Sequence, residues 1–303
     1  MNRVVLLSGH DRRTLVREVL MKLGEEWTKR ARDAKTIFIH PNLVNFRRAE
    51  ANTHTLTIRG VLDHISELRA DTVTIGDAGV HNTKKAFETL EYQSLSRSGD
   101  IRLLDLNDDE TIPSHAYTGR MQKRTIGFSK TVAESDFVIA VVPAKMHNYF
   151  GVTLSVKTQV VGSMVVSPNM MGKHMRWPWV LTGITPGSHT LADVFADHPA
   201  HLAIIDGVQT MEGDGPADGD MVDTHWLIAS FNPVSADALA AYLMGWDPHD
   251  IGYLHFLNEK GLGPIDISEM EIDGPDPASL RRDLAKPESY PDMLRWKGAA
   301  EIT

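Results

Sequence analysis

Three residues of the stretch KMHNYFGVTLSVKTQVVG, positions 145–162, carry side chains suited to handling an anion and a proton: Lys145, His147 and Lys157. Lys145 and His147 are two apart, so an extended chain puts both on one face. Lys157 interrupts a run of Val, Leu and Thr. An ammonium withdrawn from water there loses basicity unless an anion pairs with it, which makes it a tuned base or an anion anchor. The competing reading is a lysine whose stem lies along apolar surface while its head reaches water. In a helix, Thr153, Lys157 and Val161 share a face; in an extended chain, Thr153, Ser155 and Lys157 do. Imidazole titrates nearest neutral pH, which suits His147 to acid/base work, and equally His174, which lies beside Lys173 and close to Arg176.

A second stretch, DGVQTMEGDGPADGD (206–220), concentrates Asp206, Glu212, Asp214, Asp218 and Asp220 among glycines. Hard divalent cations such as Mg or Mn take carboxylate oxygens, and we expect Asp206, Glu212 and Asp214 to hold one. No EF-hand frame is present, and a solvated glycine-rich turn is the alternative. HExxH and HxH spacings are absent, as are the Walker A loop, the GxGxxG fingerprint and the GxSxG elbow, so no nucleotide cofactor motif is found.

These residues need a frame, and short apolar runs supply it: TIFI (36–39), TVTI (72–75), FVIAVV (137–142), LAII (202–205) and WLIA (226–229). Between the first two, Leu56, Val61, Leu62, Ile65 and Leu68 fall near helical spacing. Strands alternating with helices predict an α/β fold with a mixed, mostly parallel sheet and helices on both faces, its chemistry in the loops after the strands. FNPVSADALAAYLMG predicts a helix with Asn232 at the N-cap, Pro233 at its first position and a stop near Gly245. We expect a helical lead-in over 1–34, an α/β domain over 35–275 and a surface tail over 276–303.

Composition bounds the rest. The chain has no cysteine, which removes disulfides, cysteine nucleophiles and a cysteine-ligated iron–sulfur cluster. A net charge of −9 argues against nucleic acid as a partner. No segment approaches the roughly 18 apolar residues of a spanning helix, so no membrane partner and a cytoplasmic location are expected. From Trp177 to Glu259 there is no Lys or Arg but twelve acidic residues, and this basic half facing an acidic half suits a cleft between an anion and a metal. A homo-oligomer is left open.

At the residues singled out, the chain resembles the family described as domain of unknown function 362. The matching pieces run in order from about residue 36 to 274: HPNLV (40–44), ANTHTLTIRGVLDHI (51–65), TIGDAG (74–79), SDFVIAVVPAKMH (135–147), GVTLSVKTQVVG (151–162), His174, LAIIDGVQTMEGDGP (202–216), FNPVSADALAAYLMG (231–245) and EKGLGPIDISEMEIDG (259–274). The resemblance implies that Asn42, Lys145, His147, Thr153, Lys157, Gly162, His174, Asp206, Glu212, Gly213, Gly215, Pro216 and Asp237 occupy characteristic positions. His40 stands where members usually carry Lys, and Asn232 where many have Asp. Many members append a ferredoxin-like cysteine module that is absent here. A fainter resemblance to lactate-racemase-like proteins, whose sites combine Lys and His with a nickel-bearing cofactor, adds Ni to the candidate metals.

The expected function is metal-assisted acid/base chemistry on a small anionic metabolite, a carboxylate or phosphate: isomerisation, elimination or hydrolysis. His147, Lys157 and His174 are the expected catalytic groups, and Asn42, Lys145, Thr153 and Arg176 the expected substrate contacts. The competing function is a non-catalytic ligand- or metal-binding protein, or a partner of a redox enzyme.

Overall fold

A computed structural model describes residues 2–69, 72–79, 82–95, 100–165 and 183–299. Twelve strands occur among them: β1 (Arg3–Ser8), β2 (Ile37–Pro41), β3 (Val73–Asp77), β4 (Ile101–Asp105), β5 (Thr111–Tyr117), β6 (Lys123–Ser129), β7 (Phe137–His147), β8 (Gly151–Thr153), β9 (Met164–Val165), β10 (Leu202–Glu212), β11 (Asp220–Ser230) and β12 (Glu271–Asp273). Nine form one sheet in the order β12-β1-β11-β10-β7-β2-β3-β4, with β8 folded back on β7, and β5-β6-β9 form a small antiparallel sheet. The stretch from β10 through β7, β2 and β3 to β4 is parallel, while β11 joins both β10 and β1 antiparallel. The sheet is therefore mixed and mostly parallel, as the alternating pattern predicts.

Alternation along β7 explains the layers. Phe137, Ile139 and Val141 enter one apolar core with helices Arg12–Asp33 and Thr55–Ser66, while Val138, Ala140 and Val142 enter a second core with helices Ser155–Val161, Ile184–Asp197, Pro233–Leu243 and Gly252–Glu259. A strand covered on both faces reads as a continuous apolar run, which FVIAVV is. Helix Pro233–Leu243 starts as its sequence indicates, with Asn232 accepting from the Ser235 N–H at 3.1 Å and Gly245 beyond the end at φ 89°.

Helix Arg12–Asp33 takes up most of the first 34 residues, and a strand precedes it. The chain opens on β1, which pairs with β11 and β12, and Val4, Val5 and Leu6 are fully buried in the sheet. Four apolar residues too few for a helix face suffice for a two-sided strand. The last segment packs closely on the body, burying Leu284, Met293 and Trp296.

The sheet places its chemistry through topology. From β2 the chain winds outward to β3 and β4, whereas β7 returns to the other side of β2. That reversal is a topological switch point between β2 and β7, and ligands of open α/β sheets bind beyond the carboxyl ends of the strands at such points.

Candidate functional site: a lysine-rich crevice at the strand ends

Lys145 and His147 sit at the carboxyl end of β7, two residues apart and on one side of the strand. After a turn at Gly151, whose φ of 83° favours glycine, β8 runs back so that Thr153 faces Lys145 and Gly151 faces His147. Lys145 is fully buried, and its Nζ donates to Asn42 Oδ1 at 2.7 Å and to the Ala51 carbonyl. Burial pushes its basicity well below the ordinary lysine range, and nearby Lys157 pushes it further. A neutral amine has two N–H groups, and both are satisfied here.

Lys157 lies in helix Ser155–Val161, all seven residues of which are buried. At 6% exposure it is not a snorkelling side chain. It makes no hydrogen bond or salt bridge among the described residues, and desolvation lowers it to about 8 against a partial pull upward from Asp77. Thr153 precedes the helix, so neither face-sharing pattern applies, yet its Oγ1 is buried and lacks a hydrogen-bond partner. Buried polar atoms are normally paired, so the Thr153 hydroxyl, which has no partner among the described residues, stands out.

The half-buried His147 has a defined polarity. Its Nδ1 accepts from the Tyr149 N–H at 2.9 Å and the Phe150 N–H at 3.2 Å, so the proton of the neutral ring belongs on Nε2. Desolvation, then Lys157 and Lys145, hold the ring well below its ordinary value. With its basicity lowered, the ring in its neutral form presents the Nε2–H as a donor.

Around these groups the fold assembles Asp77, Thr158 and Gln159, which sequence reasoning passed over, with His40, Asn42 and Gly162, which it named. Asp77, at the end of β3, accepts from the Leu43 N–H at 2.8 Å and stands 3.6 Å from His40 Nε2. His40 Nδ1 meets Gln159 Oε1 at 2.9 Å, and Asn42 Nδ2 donates to Thr158 Oγ1 at 3.2 Å, tying helix Ser155–Val161 to the end of β2. Gly162 closes that helix so tightly that a Cβ would lie 2.4 Å from both Asp77 Oδ1 and His40 Nε2. The placement of Asp77 inside TIGDAG, directly after an apolar strand, was the available signal for it.

The expected metal set does not come together. Asp206 and Glu212 are six residues apart on β10, roughly 20 Å along an extended strand. Asp206 accepts from Arg12 Nε at 2.9 Å and Thr57 Oγ1 at 2.6 Å, binding two helices to the sheet. Glu212 Oε2 accepts from the Ala285 N–H at 2.8 Å and Asp214 Oδ1 from the Glu288 N–H at 3.0 Å, so both carboxylates hold the C-terminal segment. Among the described residues no group of three or more His, Asp or Glu could hold a metal ion. These residues do not fit a shared divalent cation. His174 and Arg176 lie outside the described residues.

The fold has a solved counterpart. The lactate racemase apoprotein from Thermoanaerobacterium thermosaccharolyticum superposes with a TM-score of 0.51 at 14% identity, over 79% of this chain and 57% of that one. A crystal structure of a protein from Thermotoga maritima aligns with a TM-score of 0.44 at 14% identity, over 67% of this chain and 52% of that one. The chain thus spans little more than half the length of either. No curated relative matches it by sequence. The family described as Domain of unknown function (DUF362) matches residues 37–242, two thirds of the chain and the whole span from β2 through helix Pro233–Leu243, and the chain belongs to that family.

Proposed function

We propose that the crevice binds a small anionic metabolite, a carboxylate or phosphate, and exchanges a proton with it. One observation carries this reading: Lys157 is a buried ammonium that meets no carboxylate or other acceptor among the described residues. Keeping an uncompensated cation out of water is costly, and a bound anion removes that cost. Lowered to about 8, Lys157 is mostly a cation at neutral pH and still gives up its proton readily. It therefore suits both seating an anion and moving a proton.

The neighbours divide the remaining work. His147 offers an Nε2–H to a carbonyl or carboxylate oxygen, and Thr153 an unengaged hydroxyl. Lys145, neutral and bonded to Asn42 and Ala51, braces the pocket and supplies no second fixed charge. This reading needs no metal at Asp206, Glu212 or Asp214 and routes no step through one. The expected reactions are isomerisation or elimination in which the minority neutral form of Lys157 takes a proton from the carbon beside a carboxylate, and the ammonium so formed pairs with that carboxylate.

Calorimetry with acetate, lactate and inorganic phosphate tests it, lactate being included because the structurally similar racemase is named for it. We expect binding that Lys157→Ala abolishes. Solvent deuterium entering the C2 position of bound lactate, followed by NMR, marks proton transfer. Binding without exchange favours the non-catalytic reading, and no binding of any of the three anions refutes the site.

A further inference from the structure

We infer that Asp237 is the positioning residue for Lys157: from a separate helix its carboxylate caps the first turn of helix Ser155–Val161 and fixes where the Lys157 ammonium stands. The inference rests on the reading of Lys157 as the anion-binding group. The residue at the N-cap is Leu154, which has no side-chain oxygen to satisfy the first N–H groups of the helix. Asp237, 82 positions downstream of Ser155, does so instead. Its Oδ1 accepts from the Ser155 N–H at 2.9 Å and from the Ser155 hydroxyl, and its Oδ2 accepts from the Val156 N–H at 3.0 Å.

Helix Ser155–Val161 has seven residues and cannot hold itself together in isolation. It is pinned at both ends: by Asp237 at the start, and by Gly162 at the finish, whose carbonyl accepts from the Ala78 N–H at 2.7 Å. Lys157 is the third residue, so the first turn dictates where its side chain departs. Three donors converge on both oxygens of a fully buried Asp237, an arrangement its ionised carboxylate satisfies in full. An amide would turn its NH2 against the Val156 N–H or the Ser155 donors. Burial pushes the Asp237 carboxyl up to about 7 while the Ser155 and Val156 bonds pull it down, so the core retains an expensive group at this point.

The test is the titration of Lys157 itself, read by lysine 15Nζ NMR in the full chain, together with calorimetry using inorganic phosphate. In Asp237→Asn we expect the Lys157 pKa to rise by about one unit toward the ordinary lysine value and phosphate affinity to fall about tenfold, with Ser155→Ala moving both in the same direction by less. A role in stability alone lowers the melting temperature and leaves the Lys157 titration where it is, which overturns the inference. If Asp237→Asn does not fold, Ser155→Ala decides by the same two readouts. Should the wild-type chain bind no phosphate while the Lys157 titration still moves in the variants, the positioning role stands and the anion-binding reading falls. Phosphate binding that needs Lys157 but ignores Asp237 and Ser155 has the opposite meaning.

Discussion

Lys145 and Asn42 meet through a 2.7 Å hydrogen bond that joins the carboxyl ends of two adjacent parallel strands. The bond fits a neutral amine at Lys145, whose basicity burial lowers. With Asn42 Oδ1 and the Ala51 carbonyl taking two protons, an ammonium at Lys145 would hold a third N–H in a dry site beside a second cation. A neutral amine has no such surplus. Lys145, held by two protein acceptors, and Lys157, held by none among the described residues, are alike in the sequence and differ in surroundings; in the function proposed above the first braces the site and the second meets the anion.

Asn42→Ala removes one of the two acceptors and leaves a buried N–H without a partner. We expect a loss of about 1–3 kcal/mol in urea unfolding at pH 7, the usual range for an unsatisfied buried donor. Asn42→Asp supplies a counter-charge, so Lys145 should regain its proton and the loss should be smaller. Equal destabilisation by both variants would contradict the neutral-amine assignment.

Lys157→Met should separate stability from binding. The folded-state value of about 8 lies below the ordinary 10.5, so between those limits the unfolded chain binds more protons than the folded one, and the wild-type protein gains stability as pH rises. Below pH 8 the charged lysine is a full burden, worth up to about 3 kcal/mol for a shift of this size. Lys157→Met should therefore be the more stable protein at pH 7, its advantage shrinking from pH 8 toward 10.5, while it binds none of the three anions. Denaturation midpoints of the two proteins across that pH range give the difference directly.

Much of the frame was legible because strand burial leaves a local trace. FVIAVV, LAII and WLIA are runs that only a two-sided strand explains, and Asn232–Pro233 announces a helix start from adjacent residues. Lys145, His147 and Lys157 were found by type, since a cation in an apolar run is conspicuous. What stayed hidden is non-local. Seven residues are too few to show helical period, and the cap of helix Ser155–Val161 comes from Asp237, 82 positions away. Glu212 and Asp214 looked like metal ligands because a carboxylate's partners cannot be read beside it; theirs are backbone N–H groups of the C-terminal segment.

That segment supplies a further expectation. Ala285 and Glu288 are bonded to Glu212 and Asp214, and the Ser289 hydroxyl donates to the Asn148 carbonyl, one residue from His147. Glu212→Ala and Asp214→Ala should release residues 285–289, seen as faster amide hydrogen exchange there, at about 1 kcal/mol each. Calorimetric titration with Mg, Mn or Ni should be the same before and after these substitutions. A lost binding isotherm in either variant would restore the acidic loop as a metal site.

Gly162→Ala tests the closure of the crevice from the other end of the lysine helix. The new methyl group would sit 2.4 Å from Asp77 Oδ1 and His40 Nε2 and 2.7 Å from the Thr158 carbonyl, and two of those three atoms belong to side chains held by other bonds. Neither can turn aside without breaking the Leu43–Asp77 or His40–Gln159 contact, so the helix end must move. Overpacking of this kind costs about 1–3 kcal/mol. The displacement carries Lys157 away from Asp77, whose charge pulls its pKa upward, so the lysine should titrate lower than in the wild-type protein. Asp237→Asn is expected to move the same titration upward. Opposite shifts from the two ends of one short helix would separate loss of a counter-charge from loss of burial at Lys157.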